Sequence, residues 1–152
     1  FTIDAGFTYY WYPERNPSPG IDREREIYVG GSADVMLSPA VYIYYDLDQE
    51  AWTIEGSVGY SFDLGELAGV DGSSLDLGAY VGTTSIEDGN AGQGATSPEN
   101  GYSYAGASAD LNYALNENVG LGLGLRVAAN NDDQPGATDS FFWWGASVNF
   151  SY

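Results

Sequence analysis

Apolar residues recur at every second position along most of this chain, with small or polar residues between them. The clearest run is 119–127, in which leucines and valines alternate with three glycines and Arg126. A period of two is typical of β-strands with one apolar face, and no segment shows a convincing helical period. The pattern predicts eight strands, at 1–12, 26–37, 41–47, 52–62, 75–82, 102–113, 119–127 and 142–152.

The connections between these strands differ in length in a regular way. Segments 13–25, 86–101 and 129–139 are long and fall on one side of the predicted sheet, whereas 37–40 and 115–118 are short and fall on the other. Segment 47–51 falls on the same side as the three long connections but is shorter than they are. Segment 63–73 falls on the side of the short turns, although it is unusually long. Long outer loops and short inner turns are typical of outer-membrane barrels. We therefore predict an all-β fold, an antiparallel up-and-down transmembrane β-barrel with eight strands in this chain.

The C-terminal strand has the length and the aromatic pattern of a membrane-spanning strand. Residues 142–152 span roughly 33 Å, which a tilt near 40° reduces to about 25 Å, the height of the lipid-facing band. Aromatic residues at both ends of the apolar faces predict two interfacial girdles. The girdle residues are Trp11, Trp52 and Trp144 at the long-loop end, and Tyr60, Tyr113, Phe150 and Tyr152 at the short-turn end. Between the girdles we expect Phe7, Val58, Leu123 and Val148 to face lipid.

A soluble β-sandwich or a lipocalin-like barrel is the alternative fold for the same alternation. Such a fold would bury the apolar face in a core and expose the face rich in tyrosine and glycine. It accounts less well for the aromatic residues at the strand ends, so the membrane barrel is favoured.

Composition removes most kinds of catalytic chemistry. The 152 residues predict one domain over 1–152, and the absence of Cys and His excludes disulfides, thiolate and imidazole chemistry and the usual zinc sites. We expect no enzymatic activity and no cofactor. The chain begins at Phe1, which predicts a processed or trimmed form.

Charge narrows the range of partners. Four Arg, no Lys and 22 acidic residues give a formal net charge of −18, which excludes nucleic acid as a partner. The expected partners are the lipid bilayer of a bacterial outer membrane, small cationic or polar solutes, and proteins that meet acidic outer loops. Acidic segments 87–90 and 130–133 lack the spacing of a calcium loop, and solvated turns are the favoured interpretation.

The predicted inner face of the barrel is acidic. Its lining residues are Asp34, Glu55, Asp76, Asp110, Arg126, Tyr80 and Tyr104, with Asp4, Glu26 and Asp46 nearer the mouths. Arg126 is expected to pair with Asp110, because the short turn 115–118 makes their strands neighbours. Gly120, Gly122 and Gly124 are predicted to provide packing space for aromatic rings. An open lumen of this charge would prefer cations, whereas a lumen filled by tyrosines would indicate a structural or adhesive barrel. A secreted soluble or polymerising β-protein is the third possibility.

The segment SPAVYIYYDLDQEAWTIEGSVGYSFDLGE, residues 38–66, resembles a bacterial family of outer-membrane porins described as TorF-like. FTYYWYPE, EIYVGGSADVMLSP and YSYAGASADLNYALNENVGLGLGLRVA are similar to it too, so the resemblance covers most of the chain. It implies a porin-like function. In that family further strands with a YVFRG-like start precede this block, and the sequence here lacks them. The barrel therefore either closes with eight strands or includes further N-terminal hairpins.

Overall fold

A computed structural model describes residues 1–11, 23–86, 101–131 and 140–150, and its eight strands form one antiparallel sheet in chain order. The strands are β1 (Thr2–Trp11), β2 (Arg23–Ser32), β3 (Ala40–Asp46), β4 (Ala51–Asp63), β5 (Ser73–Ile86), β6 (Tyr102–Asn116), β7 (Val119–Asn130) and β8 (Ser140–Phe150). The predicted all-β class, strand number and antiparallel order are confirmed. β5, β6 and β7 extend further than the alternation alone indicated.

The sheet is open in this structure. Strands β1 and β8 are its two edges, and within the described residues they make no contact with each other. The predicted closed barrel is therefore not observed as such, and the backbone groups along both outer edges lack a strand partner.

The two faces of the sheet differ sharply in exposure. Most residues of the apolar face are exposed, with Phe7 at 58%, Val58 at 43%, Leu123 at 47% and Val148 at 56%. Most polar-face residues in β2–β7 are half-buried, and no described side chain is fully buried. The apolar residues thus form an exposed surface rather than a packed core.

Four tyrosines of the polar face lie across glycines on the neighbouring strand. The cross-strand pairs are Tyr28 with Gly6, Tyr42 with Gly30, Tyr80 with Gly106, and Tyr104 with Gly82. At each glycine a Cβ atom would clash with the opposing ring. Glycine therefore lets each ring lie along the sheet, an arrangement that also protects the glycine backbone.

The glycines predicted to accept rings have other neighbours. A Cβ at Gly122 would meet the Ser147 hydroxyl, and one at Gly124 would meet the Asp110 carboxylate and the Arg126 guanidinium. Gly120 faces only the Tyr113 carbonyl at 3.8 Å. The prediction was wrong for these three positions, because the nearest polar-face side chains on β6 and β8 are small, polar or charged rather than aromatic.

The turn between β2 and β3 begins earlier than predicted. β2 ends at Ser32, and the Ala33 amide donates to the Pro39 carbonyl at 3.0 Å to close the loop. Leu37 and Ser38 adopt positive φ values of 73° and 35°, which interrupt an extended strand. Asp34 consequently lies exposed in the turn, and its prediction as a lining residue on a strand was wrong.

The long connection between β4 and β5 contains a helix that the alternation pattern did not indicate, α1 (Leu64–Ala68). The Asp63 carboxylate caps it by accepting from the amides of Gly65 and Glu66, and Gly69 ends it with a φ of 70°. The helix buries none of its residues, so it serves as a compact connector between β4 and β5.

Candidate functional site

The polar face of the sheet concentrates carboxylates on adjacent strands. Alternation places eight acidic residues there: Asp4, Glu24, Glu26, Asp46, Glu55, Asp63, Asp76 and Asp110. Arg126 on β7 is the one cationic side chain that alternation places on this face within the described strands. The face therefore carries a strong excess of negative charge.

Arg126 and two aspartates form the ionic centre of this face. Asp76 and Asp110 are directly opposite each other on β5 and β6. Arg126 Nη2 donates to Asp110 Oδ1 at 2.7 Å, as predicted from the hairpin. Asp76 is held separately, by the Ser61 hydroxyl and by Asn112 Nδ2 at 2.6 Å. Each carboxylate therefore has its own donors, which offset the repulsion between like charges on neighbouring strands.

Closer to the loop end, Glu55 is bound by a tyrosine two strands away. The Tyr104 hydroxyl on β6 donates to Glu55 Oε2 on β4 at 2.8 Å, passing over Gly82 on β5. The Thr53 and Thr84 hydroxyls lie 3.0 Å apart beside this bridge. Glu55 is half-buried, so this charged hydrogen bond offsets part of its desolvation.

A group of tyrosines lies beside further acids on β2 and β3. The rings of Tyr28, Tyr42 and Tyr44 have centroids 6.0 to 6.2 Å apart. Glu26 and Asp46 are directly opposite each other at the loop end of these strands. The Asp46 carboxylate accepts from the amides of Asp48 and Gln49, so it also stabilises the turn that follows β3.

An ion pair lies at the loop-end rim of the sheet, between β2 and the turn that follows β3. Arg25 Nη2 donates to Asp48 Oδ1 at 2.7 Å, and the Arg25 amide donates to Asp48 Oδ2 at 2.7 Å. The side chains are 45% and 18% exposed. The Arg25 guanidinium lowers the pKa of the Asp48 carboxyl below its usual value.

Most predicted lining residues share the polar face. Glu55, Asp76, Asp110, Arg126, Tyr80 and Tyr104 all lie there, and Asp34 does not. Glu24 joins them because β2 begins at Arg23, and its carboxylate accepts from Gln49 Nε2 at 3.2 Å. The alternation of charges in Arg23 to Glu26 was the sequence signal for this extension.

The aromatic residues predicted for the girdles occupy the ends of the apolar face. At the loop end, Trp11, Trp52 and Trp144 are 69%, 51% and 67% exposed. At or near the turn end, Phe150 is 74% exposed, and Tyr60 and Tyr113 are exposed as well. The ring centroids of Tyr45 and Trp52 lie 4.5 Å apart, and those of Tyr60 and Phe62 lie 4.6 Å apart in an edge-to-face arrangement. Tyr152 lies outside the described residues.

The described residues contain no cluster of three or more acidic side chains arranged to hold a metal ion. Residues 132–133 of the acidic segment 130–133, and the whole of segment 87–90, lie outside the described residues. No helix among the described parts of the chain has the length and apolarity needed to span a membrane.

Comparisons with protein-family models, curated proteins and solved structures find no match to this chain. The resemblance to TorF-like porins therefore stays a prediction, and the functional argument depends on the geometry of the sheet itself.

Proposed function

We propose that this chain forms a β-barrel in a bacterial outer membrane and acts as a porin-like passive channel that prefers small cations. The observation that carries the proposal is the division of one sheet into an exposed apolar face and an acidic polar face.

The apolar face fits lipid better than water. Exposed contiguous apolar surfaces of this extent mark membrane or protein contact sites in other proteins. Among the described residues no second sheet covers this face, and α1 buries no residue against it. A soluble sandwich would need such a second layer. The aromatic residues at the strand ends support contact with the two membrane interfaces.

The charge of the polar face supports a preference for cations. Arg126 is paired with Asp110, which leaves Asp76 and Glu55 held by neutral donors and still available to attract cations. Carboxylates along a narrow polar passage raise the local cation concentration and repel anions. Small cations and small polar solutes are therefore the expected cargo.

The tyrosine and glycine pairs favour an open passage. Because each of the four rings lies over a glycine, it extends along the sheet rather than straight out from it. This arrangement leaves more space beside the polar face than four rings projecting from it would leave.

A non-conducting structural or adhesive barrel is the second candidate. The interior of an eight-stranded barrel is just wide enough for side chains to fill it. The grouping of Tyr28, Tyr42 and Tyr44 favours this alternative, because their rings already lie about 6 Å apart on one side of the face.

Reversal potentials across a salt gradient in planar bilayers test the proposal. We expect cation preference, reduced at least about twofold in the permeability ratio by Glu55→Gln with Asp76→Asn, since lining charge sets selectivity. Asp48→Asn at the rim is the matched control and should change the ratio less. Anion preference would overturn the proposal, and absence of conductance from the natural full-length protein would favour the structural barrel.

A further inference from the structure

The outermost strand β8 has the features of an edge that lacks its partner. Every described residue of β8 is exposed on both faces, including Phe141 at 48% and Trp143 at 47% on the polar face. On β7, by contrast, the polar-face residues are half-buried. A free edge cannot remain unpaired in hydrocarbon, because each unsatisfied backbone group there costs several kcal/mol.

We infer that β8 pairs with β1 of the same molecule, in a register that places Phe7 opposite Ala146. This inference rests on the proposed membrane barrel and specifies how its sheet closes. Since the eight strands alternate in direction, β1 and β8 are antiparallel, as closure requires. They also match in length, with 10 and 11 residues.

When the sheet closes, β8 pairs with β1 at an offset from the level at which the open sheet connects them. We call this offset, counted in residues along β1, the closing stagger. The registers of the seven strand pairs fix its direction. Followed from strand to strand, Ile3 at the start of β1 leads to Ser140 at the start of β8. The path runs through Gly31, Val41, Gly56, Val81, Ala105 and Ala129. Ser140 is at the loop end and Ile3 is at the turn end. The edges can therefore meet only if the end of β1 near Trp11 lies beside the start of β8.

Barrel geometry limits the size of this stagger. Staggers of eight, ten or twelve residues give strand tilts of about 35°, 41° or 46°, from a rise of about 3.3 Å and a spacing of about 4.8 Å. Barrel strands usually tilt by roughly 35–45°. Odd staggers would place apolar side chains of one edge beside polar side chains of the other. Ten residues lie in the middle of the permitted range.

Side-chain sizes favour this register over a stagger of eight. A stagger of roughly ten residues sets Phe7 opposite Ala146 and Ala5 opposite Val148, so large and small residues alternate. It also sets Tyr9 opposite Trp144, the same kind of pair that Tyr45 and Trp52 form between β3 and β4. A stagger of eight would instead set Ala5 against Ala146 and leave a gap.

Disulfide cross-linking measures the stagger directly, because the chain has no Cys of its own. Ala146→Cys is combined in turn with Ala5→Cys, Phe7→Cys or Tyr9→Cys, which report staggers of eight, ten and twelve. Directly paired residues have Cα atoms about 4.5–5.5 Å apart, which is within disulfide range. Residues that are two positions out of register lie too far apart to form a disulfide readily. Leu123→Cys with Ala146→Cys joins an observed pair and is the positive control.

In lipid vesicles we expect the Phe7/Ala146 pair to oxidise within one molecule, at least about tenfold faster than the Ala5 or Tyr9 combination. Ala5→Cys with Val148→Cys tests the same register with smaller changes, should the Phe7 variant fail to fold. Preference for another combination, or cross-links only between molecules, would overturn the inference. Vesicle flotation is measured separately: protein that floats without this cross-link contradicts only the register, and protein that never floats contradicts the proposed membrane function.

Discussion

The Tyr104 hydroxyl reaches over strand β5 to donate a 2.8 Å hydrogen bond to Glu55 Oε2 on β4. Gly82 lies directly opposite Tyr104 and supplies the space for its ring. The contact spans three consecutive strands on the polar face, so it holds in place a carboxylate that we propose attracts cations.

Removing this hydroxyl should destabilise the protein measurably. Tyr104→Phe leaves Glu55 without its charged hydrogen bond, and we expect the free energy of unfolding in vesicles to fall by about 1.5–3 kcal/mol. The matched control is Tyr80→Phe, since its ring also covers a glycine but its hydroxyl has no hydrogen-bond partner among the described residues. That change should cost less than about 0.5 kcal/mol. Equal losses in urea titrations of the two variants would show that the bond to Glu55 does not stabilise the fold.

Adding a methyl group at Gly82 should displace the Tyr104 ring. We expect Gly82→Ala to cost about 1–3 kcal/mol by overpacking. Gly59→Ala is the control on the same face, because its Cβ would meet the Leu77 carbonyl at an ordinary 3.5 Å. In the double variant Gly82→Ala, Tyr104→Ala the clash is absent, so the two losses should sum to more than the measured total. Strict additivity of the two unfolding free energies would argue against the packing account.

The alternation of the sequence was enough to predict the strands and the face on which most site residues lie. Arg126 and Asp110 could be paired in advance because a short turn brings their strands together. Alternation could not position turns: it extended β2 through Asp34, since positive φ values at Leu37 and Ser38 have no signature in polarity. The helix α1 was missed although Asp63 and Glu66 have the spacing of a helix cap. The helix has only five residues, which is too short to show a helical period.

The partners of the glycines could not be predicted for a different reason. Which ring covers which glycine depends on cross-strand register, and register depends on turn geometry as well as on the pattern within one strand. Gly106 therefore receives Tyr80, whereas Gly124 receives the Asp110 and Arg126 pair.

Neutralising Arg126 should destabilise the fold and increase cation preference together. Arg126→Gln leaves Asp110 facing Asp76 without its cation. Because the two paired side chains remain 33% and 30% exposed, we expect a cost of about 1–2 kcal/mol rather than the larger loss of a fully buried pair. Reversal potentials should shift towards cations, whereas Arg25→Gln at the rim should shift them less. A shift towards anions after the Arg126 change would refute the assigned role.

The rim pair should contribute a stability term that depends on pH. Since the pKa of Asp48 is lowered in the folded protein, its ionised form stabilises the fold above the usual value of 3.8, and this contribution is lost as pH falls through the lowered pKa. The difference in unfolding free energy between the natural protein and Asp48→Asn should therefore be largest near neutral pH and vanish in strong acid. Arg25→Gln should reduce the same pH dependence, because the guanidinium is lost whereas the backbone amide at position 25 still donates to Asp48. A difference that grows on acidification would have the wrong sign for this linkage.

The most direct test of the membrane account compares Val58 with its neighbour Ser57, which point to opposite faces of β4. Each is replaced by Cys in the Cys-free chain, spin-labelled, and measured in vesicles for collisions with oxygen and with a water-soluble paramagnetic nickel complex. The account predicts that the label at Val58 collides mainly with oxygen, as in lipid, and that the label at Ser57 collides mainly with the nickel complex. A label at Val58 that is shielded from both reagents, as in a packed core, or that meets the nickel complex freely, would contradict the lipid-facing assignment of the apolar face.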